Sequence, residues 1–198
     1  MKSVIALVLS LVSVSAMAAP KLEAGTYAVD AAHSKVGFEI SHLVISTVEG
    51  RFDTVTGEIV MGKKVEDMRI NANIDVASVS TGNADRDKHL KSPDFFDAAK
   101  FPQITFVSKS VSGPTDSLTV KGEITIHGVT KPITLLGKYT GSVVDPYGNT
   151  KIAFSGKGTL SRKAFGLVWN KAVEAGPVVG DEVTIDLRIE AGKPAAKK

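Results

Sequence analysis

Strict alternation of apolar and polar residues governs most of this 198-residue chain and leaves few folds open to it. In Ser34–His42 the apolar positions are Val36, Phe38 and Ile40. Met68, Ile70, Ala72, Ile74 and Val76 alternate with Arg69, Asn71, Asn73 and Asp75. Leu118, Val120, Ile124 and Ile126 repeat the pattern, as do Val183, Ile185, Leu187 and Ile189. A period of two places one residue set on each face of a strand, here one dry and one wet. Weaker runs at 48–61, Gln103–Val111, Ile133–Val143 and Ile152–Leu160 bring the count to about eight strands, with a short one at Tyr27–Asp30. A single long antiparallel sheet removes its exposed edges by closing on itself. The expectation is all-β: an eight-stranded antiparallel barrel with an interior for side chains or one small ligand.

Glycines at 50, 57, 122, 137, 156 and 158 fall inside these strands. Glycine in a strand marks tight coiling or a space left open, and the two readings are compatible. "DPYGN" (Asp145–Asn149) and "SGPTDS" (Ser112–Ser117) read as hairpin connections. No linker, repeat or second compositional regime divides the chain, so a single domain is expected over 19–198, with a frayed basic tail from 190.

The alternation stops at Ser80, where "TGNADRDKHLKSPDFFDAAKFP" begins. Asn83 can cap a helix with Asp85 in its first turn, and Asp85 and His89 stand at helical pair spacing. Ser92 followed by Pro93 reads as the cap of a second helical turn. A catalytic reading would make His89 a base oriented by Asp85 or Asp87. A structural reading makes the segment a capped helix that presses Leu90, Phe95 and Phe96 onto the barrel. Nothing resembling a nucleophile motif accompanies His89, which favours the structural reading and makes a lipid-modifying enzyme using His89 the lesser alternative. The histidines 33, 42, 89 and 127 show no metal-ligand spacing, so neither metal nor cofactor is expected. His42 continues the row of Val36, Phe38 and Ile40 and is a candidate head-group contact. Trp169, in a segment without alternation, is a packing anchor or an entrance residue.

Lys2, the apolar run Val4–Val12 and the small residues of "SAMA" compose a secretory signal peptide over 1–18, with cleavage after Ala18 and export to a periplasm expected. Its core is too short to span a bilayer. The net charge of +3, +2 without Lys2, is too small to argue for nucleic acid. The absence of cysteine excludes thiolate chemistry and a lipoprotein anchor.

Four segments together resemble one family: "YAVDAAHSKVGFEISHL" with "GRFDTVTGEI", "NADRDKHLKSPDFFDAAKFPQITF", "GEITIHGVTKPITL" and "SRKAFGLVWNKAVEAGPVVGDEVTIDLRIE". Their order and spacing are similar to those of the YceI-like polyisoprenoid-binding proteins. The resemblance implies an extended lipocalin-like barrel with a short helix near one opening and a long apolar lumen for an isoprenoid or fatty-acid-like lipid. It also implies a periplasmic carrier without catalysis or stable membrane insertion, and a possible homodimer. Ala164 stands where the family often carries Asp, which bears on the loop before Trp169. The expected lumen residues are Phe38, Ile40, Val48, Phe52, Ile70, Ile74, Phe106, Ile124, Leu135, Phe154 and Ile185. His42, Arg86, His89 and Trp169 are the expected entrance and head-group contacts. A structural or stress-response barrel whose interior is only core is the other alternative.

Overall fold

A computed structural model describes residues 21–173 and 176–194. The signal-peptide segment therefore lies outside the described residues. Thirteen strands are present among them. They are β1 (Gly25–Val29), β2 (Lys35–His42), β3 (Ser46–Phe52), β4 (Val55–Met61), β5 (Arg69–Asp75), β6 (Val79–Ser80), β7 (Gln103–Ser112), β8 (Leu118–Ile126), β9 (Val129–Val144), β10 (Thr150–Ser161), β11 (Ala172–Val173), β12 (Gly176–Pro177) and β13 (Val179–Lys193).

The sheet closes. Its order β1-β4-β5-β7-β8-β9-β10-β13 returns to its start through β13–β1 pairing, and every pair is antiparallel. Strands β2, β3 and β6 continue from β13 at one end of the barrel. β1 and β2 run consecutively along the same edge of β13: Ala191 and Gly192 face β1, and Arg188 to Val179 face β2. The barrel is thus eight long strands, three of them interrupted. Asp30 interrupts the first by capping Ala32 N–H at 3.1 Å, and Asp75 interrupts the third by capping Ala77 N–H at 2.9 Å. Each carboxylate offers the backbone a local partner in place of the ladder.

β13 extends to Lys193, paired with Thr150, so the expected fraying from 190 is wrong for its first residues. Lys193 is tied there by its ammonium, which donates to the Ala24 carbonyl at 2.8 Å.

One α-helix, α1 (Ala84–Lys91), crosses the end that β6 leaves. Asn83 caps it by accepting from Arg86 N–H at 3.0 Å. Asp85 and Asp87 lie in its first turn and Lys88, His89 and Lys91 in its last, as the helix dipole favours. Eight residues are too few for an autonomous helix. Thr81 anchors its start by donating N–H and hydroxyl to Asp87. Ser92 ends α1 by donating its hydroxyl to His89 O and opens the turn over 93–96, where its Oγ accepts from Asp94 N–H at 3.3 Å and its carbonyl from Phe95 N–H at 3.0 Å. The Asp85–His89 pair gives way to His89–Asp94 at 2.8 Å. Asp94 wins because that turn folds back beside the last turn of the helix.

The end opposite α1 is filled. Tyr27, Met61, Met68, Leu118, Tyr139 and Ile152 are all buried there. The two tyrosines donate their hydroxyls to the carbonyls of Glu23 and Lys21. Burial raises the Tyr139 phenol above its ordinary pKa, so it stays a neutral donor.

Candidate functional site: an apolar lumen under the helix

Inward-facing side chains of the barrel differ from wall to wall. On β7 and β8, Ile104, Phe106, Val120, Ile124 and Ile126 are buried in a packed layer. On β10, β13 and β2 the inward row is only half-buried, although it faces inward all the same. The register pairs Phe154 with Ile189, Gly156 with Leu187, Gly158 with Ile185 and Leu160 with Val183. Val36, Phe38 and Ile40 continue the layer onto β2. These residues are exposed to a cavity within the barrel, whose space open to the centre of a water-sized sphere is about 260 Å³. Of the two glycines on β10, Gly158 is covered by Leu135, whereas Gly156 leaves room. A Cβ on Gly156 would find nothing nearer than Leu136 O at 3.5 Å and Leu187 Cδ1 at 3.9 Å.

Phe38 and Ile40 on β2, Phe52 on β3 and Ile70 and Ile74 on β5 line this cavity. So do Phe106, Ile124, Leu135, Phe154 and Ile185 on β7, β8, β9, β10 and β13. Val48 does not: it pairs with Ile40 on β3 but stands beyond the cavity. None of the four entrance candidates is among the lining residues. His42 sits opposite Val179, past a register shift in β13 between Val179 and Val183 that ends the row it was expected to continue. Arg86 turns back to its own helix start, donating to Thr81 Oγ1 at 2.7 Å and Thr81 O at 2.9 Å.

Leu90, Phe95 and Phe96 close the lumen from the α1 side, together with Leu167. Phe96 meets Phe52 edge-on at 5.7 Å, and Phe52 meets Phe38 at the same distance. Outside this layer His89 lies edge-on to both Phe95 and Trp169 at 5.0 Å, while Phe95 and Trp169 are 5.2 Å apart. His89 and Trp169 thus form a latch over the lid, one from α1 and one from the facing loop. With Nε2 on Asp94 and its ring packed among aromatics, His89 is not turned to the lumen as a catalytic base would be.

The facing loop is held by a residue that sequence reasoning missed. Arg162, 4 % exposed, lines the lumen. Its guanidinium donates to the carbonyls of Gly180 (2.7 Å), Leu167 (2.5 Å), Trp169 (2.9 Å) and Val179 (3.4 Å). Burial lowers its pKa below the ordinary value, with the Asp181 charge opposing. Asp181 itself accepts from Ser161 Oγ and from Lys163 N–H, which hold its carboxyl below the usual range. The exposed Ala164 makes no side-chain contribution to this staple. The signal in the sequence was parity: the inward row 152, 154, 156, 158, 160 reaches 162.

Asp30, His33 and Glu190 gather on the outer surface within ligand distance of one another. Lys151 Nζ already lies 2.8 Å from Asp30 and 3.2 Å from Glu190, so an ammonium supplies the positive charge there. The Lys151 contact, then that of His33, holds the Asp30 carboxyl at about 2.

Known proteins resemble this chain in sequence and in fold. The chain is 36% identical over 179 residues to a UPF0312 protein of Vibrio parahaemolyticus, covering 88% of this chain and 90% of that one. Protein YceI of Escherichia coli is 38% identical over 159 residues, 80% and 81% of the two chains. Among solved structures, BcnA of Burkholderia cenocepacia superposes with a TM-score of 0.73 at 26% identity, over 82% of this chain and 99% of that one. A domain from Saccharophagus degradans gives 0.63 at 19% identity, over 85% and 98%. The sequence model of the YceI-like domain matches residues 27–191, and the chain belongs to the YceI-like family.

Proposed function

We propose that this protein is a periplasmic carrier or reservoir for a polyisoprenoid or similar long-chain amphiphile, whose tail lies in the barrel lumen. The observation that carries this reading is the cavity within the barrel, walled almost wholly by hydrocarbon and left unfilled at Gly156 beside Leu187. A site of this kind binds by burying apolar surface and offers no chemistry to a substrate. Each isoprene unit buried contributes about 3–4 kcal/mol gross at ~0.8 kcal/mol per methylene. Association and chain ordering remove much of that sum. The ten expected residues that line the cavity hold the tail, and the head group rests at the latch end. The Saccharophagus degradans relative is described as a polyisoprenoid binding domain, which supports the ligand class. The N-terminal 18 residues support export.

Organic extraction of the purified protein followed by mass spectrometry tests the reading. The expected result is a co-purified long-chain species. Its repeated absence, combined with no rise in melting temperature on adding prenyl alcohols, refutes it and leaves a barrel whose interior is only core.

A further inference from the structure

The two ends of the barrel differ in the chemistry of their loops. At the filled end, the connections carry Lys63, Lys64, Glu66, Asp67, Asp116 and Asp145. At the latch end, the β2–β3 turn and the following residues read Leu43-Val44-Ile45-Ser46-Thr47-Val48, and the loop after Lys163 reads Ala164-Phe165-Gly166-Leu167-Val168-Trp169-Asn170. Neither contains a charge. Ile45 is 87%, Val168 64% and Val44 60% exposed.

These loops form one surface. Leu43 N–H donates to Val178 O at 2.9 Å, and Val178 N–H donates to Lys171 O at 3.0 Å. Asn170 Nδ2 donates to Val179 O at 2.7 Å, and Trp169 O is held by Arg162. The β2–β3 tip, the start of β13 and the Trp169 loop are therefore laced side by side next to the lid. Leu43 and Val44 are kept at φ 52° and 67°, a left-handed conformation that a β-branched residue avoids. Val44 and Ile45 stay largely exposed in this turn, while Leu43 is half-buried and Val44 lies beside Gly176.

Exposed Lys163 and Lys171 bracket the uncharged loop, and α1 adds Lys88 and Lys91. The same elements also carry carboxylates, Asp85, Asp87 and Asp94 around α1 and Glu49, Asp181 and Glu182 around the loops, so cations and anions are interspersed. Apolar tips beside a tryptophan, rimmed by charges of both signs, match the boundary of a bilayer, where hydrocarbon lies under head groups that carry both signs.

We propose that the latch end docks on a phospholipid bilayer, with Val44, Ile45 and Val168 entering the acyl boundary and the lid held at the membrane surface. The inference rests on the carrier reading for its purpose: cargo would pass between membrane and lumen without crossing water. The tip's exposed valines and tyrosine at the opposite end, Val143, Val144 and Tyr147, surround Asp145, whose carboxyl is held below the usual range by Asn149 and stays charged. That tip is a matched control.

The test is flotation of the full chain with phosphatidylethanolamine/phosphatidylglycerol vesicles. The wild type and the double variant Val143→Ser/Tyr147→Ser are expected to float alike. Val44→Ser/Ile45→Ser is expected to partition at least about tenfold less, with an unchanged melting temperature and an unchanged thermal response to geranylgeraniol. A wild type that stays with the aqueous phase, or a Val44→Ser/Ile45→Ser protein that floats as well as wild type, overturns the proposal. Light scattering supplies a further refutation: if wild type is a dimer that the same double variant dissolves while vesicles bind neither, the surface belongs to a second copy of the chain. Failure of the carrier reading is seen separately, as no thermal response to the prenyl alcohol by a protein that still floats.

Discussion

Replacing Gly156 by leucine separates a ligand-holding lumen from a merely loose core. Gly156 and Gly137 face each other across β10 and β9, yet the space around them differs. A Cβ on Gly137 would collide with Ser155 O, whereas a Cβ on Gly156 enters the cavity at ordinary contact distances. Gly156→Leu adds four carbons against Leu187 and its neighbours. At ~0.8 kcal/mol per methylene, the lumen loses about 3 kcal/mol of the burial it can offer a tail, a weakening of roughly 100-fold in Kd. The same carbons fill the cavity of the empty protein and relieve a strand glycine, so the unliganded melting temperature is expected to rise. Titration of a fluorescent prenyl lipid and differential scanning calorimetry measure the two effects. Gly137→Ala serves as the counterpart and is expected to destabilise. Wild-type affinity in Gly156→Leu would refute the placement of the tail, and an unfolded Gly156→Leu would refute the openness of the wall.

Three further outcomes follow from the geometry. Asp30 titrates at about 2 in the fold against an ordinary 3.8, so its contribution is complete above pH 3.8 and is lost as pH falls toward 2. The shift corresponds to at most about 2.4 kcal/mol, and solvent at a side chain 22% exposed reduces this to about 1 kcal/mol. Asp30→Asn, followed by urea unfolding between pH 6 and pH 2.5, should lower stability at the high end of that range and converge on wild type at the low end. Arg162→Met leaves the carbonyls of Leu167, Trp169 and Gly180 without their donor and should cost about 3 kcal/mol, read as a fall of ~6–12 °C in melting temperature. His89→Ala removes two edge-on aromatic contacts from the latch, worth about 1–2 kcal/mol together, and stopped-flow measurement should find lipid release roughly tenfold faster.

The strands were legible because a sheet with one dry face writes its period into the sequence. The closed barrel, α1 and its Asn83 cap followed from the same signals. Legibility failed where a local contact outbid the pattern. His42 and Val48 have the parity of the inward row, but His42 lies past the extra residues that β13 inserts between Val179 and Val183, and Val48 lies one strand outside the lining Ile40, on β3. Asp94 was invisible as the partner of His89 because the pairing depends on a turn, not on helical spacing. Arg162 was not singled out in "SRKAFG", since no motif marks it. Its inward parity announced a buried cation, and backbone carbonyls, which no side-chain pattern reports, solvate it.

Alternation alone also fails to tell a lumen from a core, because both are written by the same apolar row. The difference here lies in the partners that the register supplies. On β7 and β8 large residues meet large ones, Phe106 opposite Ile124 and Val111 opposite Val120, and the small pair Ser108–Gly122 between them is covered by the Phe106 ring. On β10 the row reads Phe154, Gly156, Gly158, Leu160, and the two glycines stand opposite Leu187 and Ile185. Leu135 fills the place over Gly158, but nothing fills the place over Gly156, which leaves a hollow beside Leu187 on that wall. Interior glycine is thus a statement about volume only after pairing is known. Gly50 and Gly122 are filled by the rings of Phe38 and Phe106, which lie over them, whereas Gly156 has no such ring above it. A barrel of this length with phenylalanine placed over every interior glycine would be a solid rod, and the unfilled position on β10 is what makes this one a vessel.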